Sequence, residues 1–174
     1  NLLAENPRLQ TSFQDNFIAG LTYTYTYNAQ NSPTDKQFLY FRLDAESAGN
    51  AISLLNPPSD GEQNQKLLGV AYAQYARLAV DVRHYWSLRG EQRVAARFIG
   101  GMGLPYGNSV FLPYVKQFIS GGANSIRAFR LREVGPGSYD GADGVAQSID
   151  RTGDIKLEAN VEYRFGIFSY LKGA

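Results

Sequence analysis

An all-β fold, forming part of an antiparallel transmembrane β-barrel, is what this sequence predicts. Three observations carry the prediction: segments that alternate apolar with polar residues, connections that alternate short with long, and charges of both signs crowded on one strand face. Composition leans the same way. The chain has 18 Gly, 12 Tyr and 10 Phe but one Met and one Trp; aromatic residues gather at membrane–water interfaces, and glycine serves strand kinks and loops.

Five segments with a period of two can be followed in order. The first, about 13–27, carries Phe17, Ala19, Leu21, Tyr23, Tyr25 and Tyr27 on one face, with Gly20, Thr22, Thr24 and Thr26 between them. Asn28 to Asp35 reads as a turn. The second, 37–47, sets Leu39, Phe41, Leu43 and Ala45 against Tyr40, Arg42, Asp44 and Glu46. A long loop over 48–65 follows, marked by Gly49, Pro57, Pro58 and Asp60-Gly61. The third segment, 67–86, places Leu68, Val70, Tyr72, Ala76, Leu78, Val80, Val82 and Trp86 on one face, with Gln74 as the exception. Arg77, Asp81 and Arg83 take the other. After a turn at Arg89-Gly90-Glu91, the fourth segment, 92–103, opposes Val94, Ala96 and Phe98 to Arg93, Ala95 and Arg97. A loop over 104–152 leads to the fifth, 153–170. There Ile155, Leu157, Ala159, Val161, Tyr163 and Phe165 alternate with Lys156, Glu158, Asn160, Glu162 and Arg164.

Two architectures accommodate such alternation. A soluble antiparallel sandwich buries the apolar face, whereas a membrane barrel turns it to lipid and the charged face to a lumen. Short connections at 28–36 and 87–92 alternate with long ones at 48–65 and 104–152, the arrangement of short periplasmic turns and long external loops. Five strands cannot close a barrel, for which about eight are needed, and an open edge cannot face lipid. The chain is therefore expected to be a trimmed piece of a larger barrel. Asn1 at its start and Leu171-Lys172-Gly173-Ala174, read as the opening of another strand, agree with this.

Other classes recede. A net charge of +1 gives no electrostatic reason for nucleic acid, and no cysteine is present for disulfides, thiolate metal sites or thiol nucleophiles. No run approaches the ~20 apolar residues of a membrane helix.

The 104–152 loop contains Gly121-Gly122-Ala123-Asn124-Ser125-Ile126-Arg127-Ala128-Phe129-Arg130 and then Gly135-Pro136-Gly137. This loop, the Gly-Asp-Ile-Lys-Leu-Glu-Ala-Asn-Val-Glu-Tyr-Arg-Phe run at 153–165 and the ending at 171–174 resemble the BamA/TamA superfamily of outer-membrane insertases and translocators, also described as bacterial surface antigens. The first hundred residues match only in alternation. The resemblance implies a barrel of about 16 strands whose Gly-Gly…Ile-Arg-Gly-Phe-type loop turns into the lumen. It also implies that the loop arginine, here Arg127, meets acidic residues of the next strands. Glu162 fits the first acidic position, and alternation independently turns it inward; a second, an aspartate on the following strand, would lie beyond Ala174. Ile126, Arg127, Ala128, Phe129 and Glu162 are thus the expected loop lock, with Gly121, Gly122, Gly135 and Gly137 as the loop's glycines. Ala128 departs from the family's glycine, so positive φ is not readily adopted there; this suggests a divergent, TamA-like branch. The physical expectation for Arg127 is a planar fork matching a carboxylate at two points. If partly buried, the pair would cost about 3–5 kcal/mol to break.

Three other groups of residues suggest rival sites. His84, the single histidine, lies near Ser87, but its place beside Tyr85 and Trp86 at a strand end favours an interfacial role. Asp140, Asp143, Asp150 and Asp154 could offer oxygen ligands to calcium, yet their spacing is not that of a calcium loop. Gly100, Gly101, Gly103 and Gly107 lack dinucleotide-fingerprint spacing and read as a strand end.

The resemblance implies assembly, insertion or translocation of outer-membrane or secreted client proteins in the bacterial outer membrane. Such a protein would have no bond-making chemistry, cofactor or metal, and its partners would be lipids, clients and accessory subunits. A passive channel or porin, or a barrel anchoring an upstream enzyme domain, is the alternative.

Overall fold

A computed structural model describes residues 15–55, 65–135, 137, 151–168 and 171–173. Its elements are β1 (Asn16–Phe17), β2 (Gly20–Asn28), β3 (Gln37–Ala48), α1 (Asn50–Leu55), β4 (Lys66–Leu67), β5 (Val70–Tyr72), β6 (Tyr75–Ser87), β7 (Arg93–Pro105), β8 (Ile155–Phe168) and β9 (Leu171–Gly173). Among the described residues the fold is all-β apart from α1 and a single 3-10 turn at Tyr114–Lys116. Six strands form one antiparallel sheet in the order β2-β3-β6-β7-β8-β9, each next to its sequence neighbour in the sheet. Among the described residues it is an open meander, not a closed barrel.

Short connections close one end. Asp35 caps the 29–36 turn by accepting the N–H groups of Asn31 and Ser32 at 2.7 and 2.9 Å. The 88–92 turn is closed by Leu88 N–H donating to the Gln92 carbonyl at 2.8 Å. Both long connections, 49–74 and 106–154, emerge at the opposite end.

The register fixes two unlike faces, because side chains alternate along every strand. Leu21, Tyr23, Tyr25, Leu78, Phe98, Ile155, Leu157, Val161 and Tyr163 share one face, and all are exposed. Val161 is 78% and Leu157 76% accessible, and no second layer covers them among the described residues. In water each such side chain would forgo roughly 1.5–3 kcal/mol of burial. The opposite face carries Arg42, Asp44, Glu46, Arg77, Asp81, Arg83, Arg97, Lys156, Glu158 and Glu162 and is the covered one. This inverts a soluble sandwich, which would wet the charges and bury the apolar side. The small apolar core lies at the long-loop end, where Leu112 of the second connection packs with Ala48, Ala73 and Tyr75 against Ile18.

Two expected strands need correction. The 67–86 segment is not continuous. Leu68 (φ 53°) and Gly69 (φ 86°) form a two-residue hairpin between β4 and β5, and the long strand begins only at Tyr75. Positive φ at both residues is the turn geometry that matches strand twist, but leucine gives no sequence signal for it. The lower part of the 13–27 segment also separates. Asn16–Phe17 pairs in parallel with Ala71–Tyr72, in a three-stranded sheet with β4 and β5. The exception at Gln74 now has a cause: it lies in the break before β6, where its backbone N–H donates to Ser109 Oγ at 2.8 Å and its Oε1 accepts Asn108 N–H at 3.0 Å. Asn108, 1% exposed, adds bonds to the Gln65 and Tyr72 carbonyls and so ties the two long connections together.

Candidate functional site

The stretch 106–135 of the second long connection lies on the charged face. Its floor is made by small residues. Phe118, bridged to Gly153 by paired backbone bonds of 2.8 and 3.0 Å, sets its ring directly over Gly101 of β7, where any Cβ would overlap it. Leu112 sits in the same way over Gly103. The Arg77 guanidinium stacks on the Phe118 ring at 4.2 Å, and its Nε donates to the Lys116 carbonyl at 3.0 Å. Of the glycines that read as a strand end, Gly101 and Gly103 are therefore the bed of the loop, whereas Gly100 lies on the opposite face beside Phe98 and Gly107 packs against Gln74.

Charged wall residues also reach up to the body of the loop. Glu46 accepts the Lys116 ammonium and the Tyr75 hydroxyl, each at 2.6 Å. Asp81 is gripped by two arginines, Arg83 (3.0 and 2.7 Å) and Arg97 (3.1 and 2.7 Å), and Arg97 Nη1 continues to the Asn124 carbonyl at 2.7 Å. Arg83 and Arg97 stand directly opposite one another, an arrangement that like charges disfavour. Asp81 offsets that repulsion. Glu158, its side chain 3% exposed, accepts the Ser125 hydroxyl, the Lys156 ammonium at 3.0 Å and the Asn160 amide at 2.8 Å. Lys156 Nζ also donates to the Ile119 carbonyl at 2.8 Å.

The loop's own path depends on the glycine pair. Gly121 (φ 96°) and Gly122 (φ 87°) reverse the chain so that Gly122 N–H donates to the Phe129 carbonyl and Arg132 N–H to that of Ser120, both at 2.9 Å. A side chain at Gly121 would strike the Arg130 carbonyl as well as strain the backbone. At the tip, Phe129 N–H donates to the Ile126 carbonyl at 3.1 Å, with Arg127 and Ala128 at the corners of the turn. Ala128 does not take positive φ, whereas Arg132 does at 64°. Alanine in place of glycine therefore brings no left-handed strain. Gly135 and Gly137 also have positive φ, and Pro136 lies outside the described residues.

Arg127 and Glu162 do meet, but not as a two-point fork. A single contact joins Arg127 Nη2 to Glu162 Oε2 at 3.3 Å, with the arginine side chain 65% exposed. The two-point partner of Glu162 is Arg164 on its own strand, at 2.8 and 3.2 Å. So open and long an ion pair belongs with surface pairs worth about 0–1 kcal/mol, not with the buried class. Phe129 and Leu131 beside it are exposed.

A family model, that of the Omp85 superfamily domain, matches residues 5–173. The chain belongs to the Omp85 superfamily. No curated protein matches it. Membership accounts for the inverted sheet: the exposed apolar face is the lipid side of an outer-membrane barrel, and the charged face under the loop is the lumenal side. This Omp85 domain is thus part of a transmembrane β-barrel of an insertion and translocation family, and the part described is unclosed.

The remaining sequence candidates separate. His84 packs against Trp86, with ring centroids 4.1 Å apart and the rings tilted by 36°, on the lipid face. Ser87, three residues on, falls on the other face, so the two do not form a hydrolytic pair. Asp154 accepts Gln117 Nε2 at 3.2 Å, while Asp140, Asp143 and Asp150 lie outside the described residues. Sequence reasoning missed Glu158, Lys156, Ser125, Gly101 and Phe118 as loop anchors. Gly101 and Gly103, two apart on the charged face of a strand, were the available signal that something large lies above them.

Proposed function

We propose that this domain helps insert or translocate client proteins at the bacterial outer membrane, with its lumenal loop setting the state of the barrel interior. The observation that carries the reading is the family match along nearly the whole chain, on a sheet whose charged side is occupied by a self-folded loop. In this reading the domain works by shape and by strand pairing, without bond-making chemistry. Lipids, unfolded clients and accessory subunits are its partners, and the complete barrel has about 16 strands. Arg127 clips the loop tip to the wall through Glu162, and Gly121 and Gly122 allow the loop to fold back. The Ala128 departure fits a TamA-like branch of the superfamily.

The test uses proteoliposomes carrying the full-length protein and an unfolded outer-membrane client. Faster client folding than in liposomes bearing an unrelated barrel supports the proposal. Ion conductance with no acceleration of client folding would favour a passive channel instead.

A further inference from the structure

We infer that Glu158, through Ser125 and Lys156, is the carboxylate that fixes the distal part of the lumenal loop to the wall, leaving the Ile126–Phe129 turn with a wall contact it can surrender. The inference deepens the lumenal-loop reading above and rests on it.

Wall contacts are spread unevenly along the loop. Lys116 is bonded to the wall by Glu46 and Arg77, and Ile119, Asn124 and Ser125 by Lys156, Arg97 and Glu158. Phe118, between Lys116 and Ile119, is seated on Gly101. Beyond Ser125, among the described residues, Arg127 to Glu162 ties the 126–129 turn to the sheet.

The two ties differ in what remains when they break. If Ser125 leaves Glu158, a carboxylate whose side chain is 3% exposed loses a donor, and the Lys156 side chain beside it is 12% exposed. Groups buried this way are costly to leave short of partners. If Arg127 leaves Glu162, that carboxylate keeps both bonds from Arg164, and the arginine is already mostly in solvent. The loop is therefore held firmly to the wall as far as Ser125 and lightly beyond it, where Gly122 N–H to the Phe129 carbonyl closes the turn on the loop itself.

Spin labels on the full-length protein in lipid bilayers can read the two parts separately. One label pair joins Ala123→Cys to Ser87→Cys, reporting the base; the other joins Ala128→Cys to Ser87→Cys, reporting the tip. Both distances are expected to be narrow in the parent protein. Arg127→Ala should broaden only the tip distance. Glu158→Gln and the milder Ser125→Ala should each lose the narrow base peak, and Ser125→Thr, which keeps the hydroxyl, should restore it. Retained heat-modifiable gel mobility shows that the barrel is still folded. The inference is overturned if Ser125→Ala and Glu158→Gln leave the base distance narrow, or if Arg127→Ala broadens base and tip alike. A broad base distance in the parent protein would overturn the lumenal-loop reading itself, a different and recognisable failure.

Discussion

Glu158 and Glu162 are the same residue type, four apart on one face of β8, and their surroundings could hardly differ more. Glu158 lies under the loop, 3% exposed, with three different donors from loop and strand. Glu162 lies past the loop's firm part, 23% exposed, and its contacts are two arginines, one of them largely solvated. The strand sets where each carboxylate points, but coverage sets what the pairing is worth. An ion pair screened by water contributes little, while one stripped of water is expensive to break. The residue singled out by motif is thus the weaker contact, and the one without a motif is the stronger.

The largest expected effect comes from breaking the covered site. Glu158→Ala should lower unfolding free energy by about 3–5 kcal/mol, since it leaves the Lys156 ammonium buried without its carboxylate; denaturant titration of the full-length barrel in lipid vesicles would check this. A loss under about 1 kcal/mol would erase the contrast with Glu162. The opposite face of the same strand offers the next test. Val161→Arg, near mid-strand on the exposed apolar side, should cost about 2–4 kcal/mol in a bilayer, and a neutral result would mean that this face does not meet lipid. Smaller still, Gly101→Ala pushes a methyl group into the Phe118 ring and should cost about 1–3 kcal/mol by overpacking. A matching loss of protease protection within residues 112–125 would locate the damage in the loop. Smallest, Arg127→Ala should change stability by about 0–1 kcal/mol. A drop of several kcal/mol there would show that Arg127 is buried in the complete barrel and would restore the stronger lock.

Much of the sheet was legible because alternation is a local property. The odd–even pattern of Ile155 to Phe165 and of Val94 to Phe98 gives the faces correctly, and the short turns at 29–36 and 88–92 stand where turn residues cluster. Legibility failed where local pattern and tertiary pairing part company. Leu68, Val70 and Tyr72 keep the alternation of β6 yet belong to a separate hairpin, because Leu68 takes a left-handed conformation its sequence does not announce. Arg127 and Glu162 were brought together by resemblance and alternation, but the strength of their contact was not readable. Competition from Arg164 depends on rotamers two residues apart on one strand.

What the sequence by itself determined is therefore the two-faced antiparallel sheet, its connection lengths, the reversal at Gly121-Gly122 and the superfamily. Each follows from residue spacing, from backbone freedom or from a local motif. Only the tertiary structure decided which carboxylate the loop covers, that Phe118 rests on Gly101 and that Asn108 and Gln74 join the long connections. These contacts link residues from 17 to 43 positions apart, and their value depends on how far water is excluded between them, which no local pattern records.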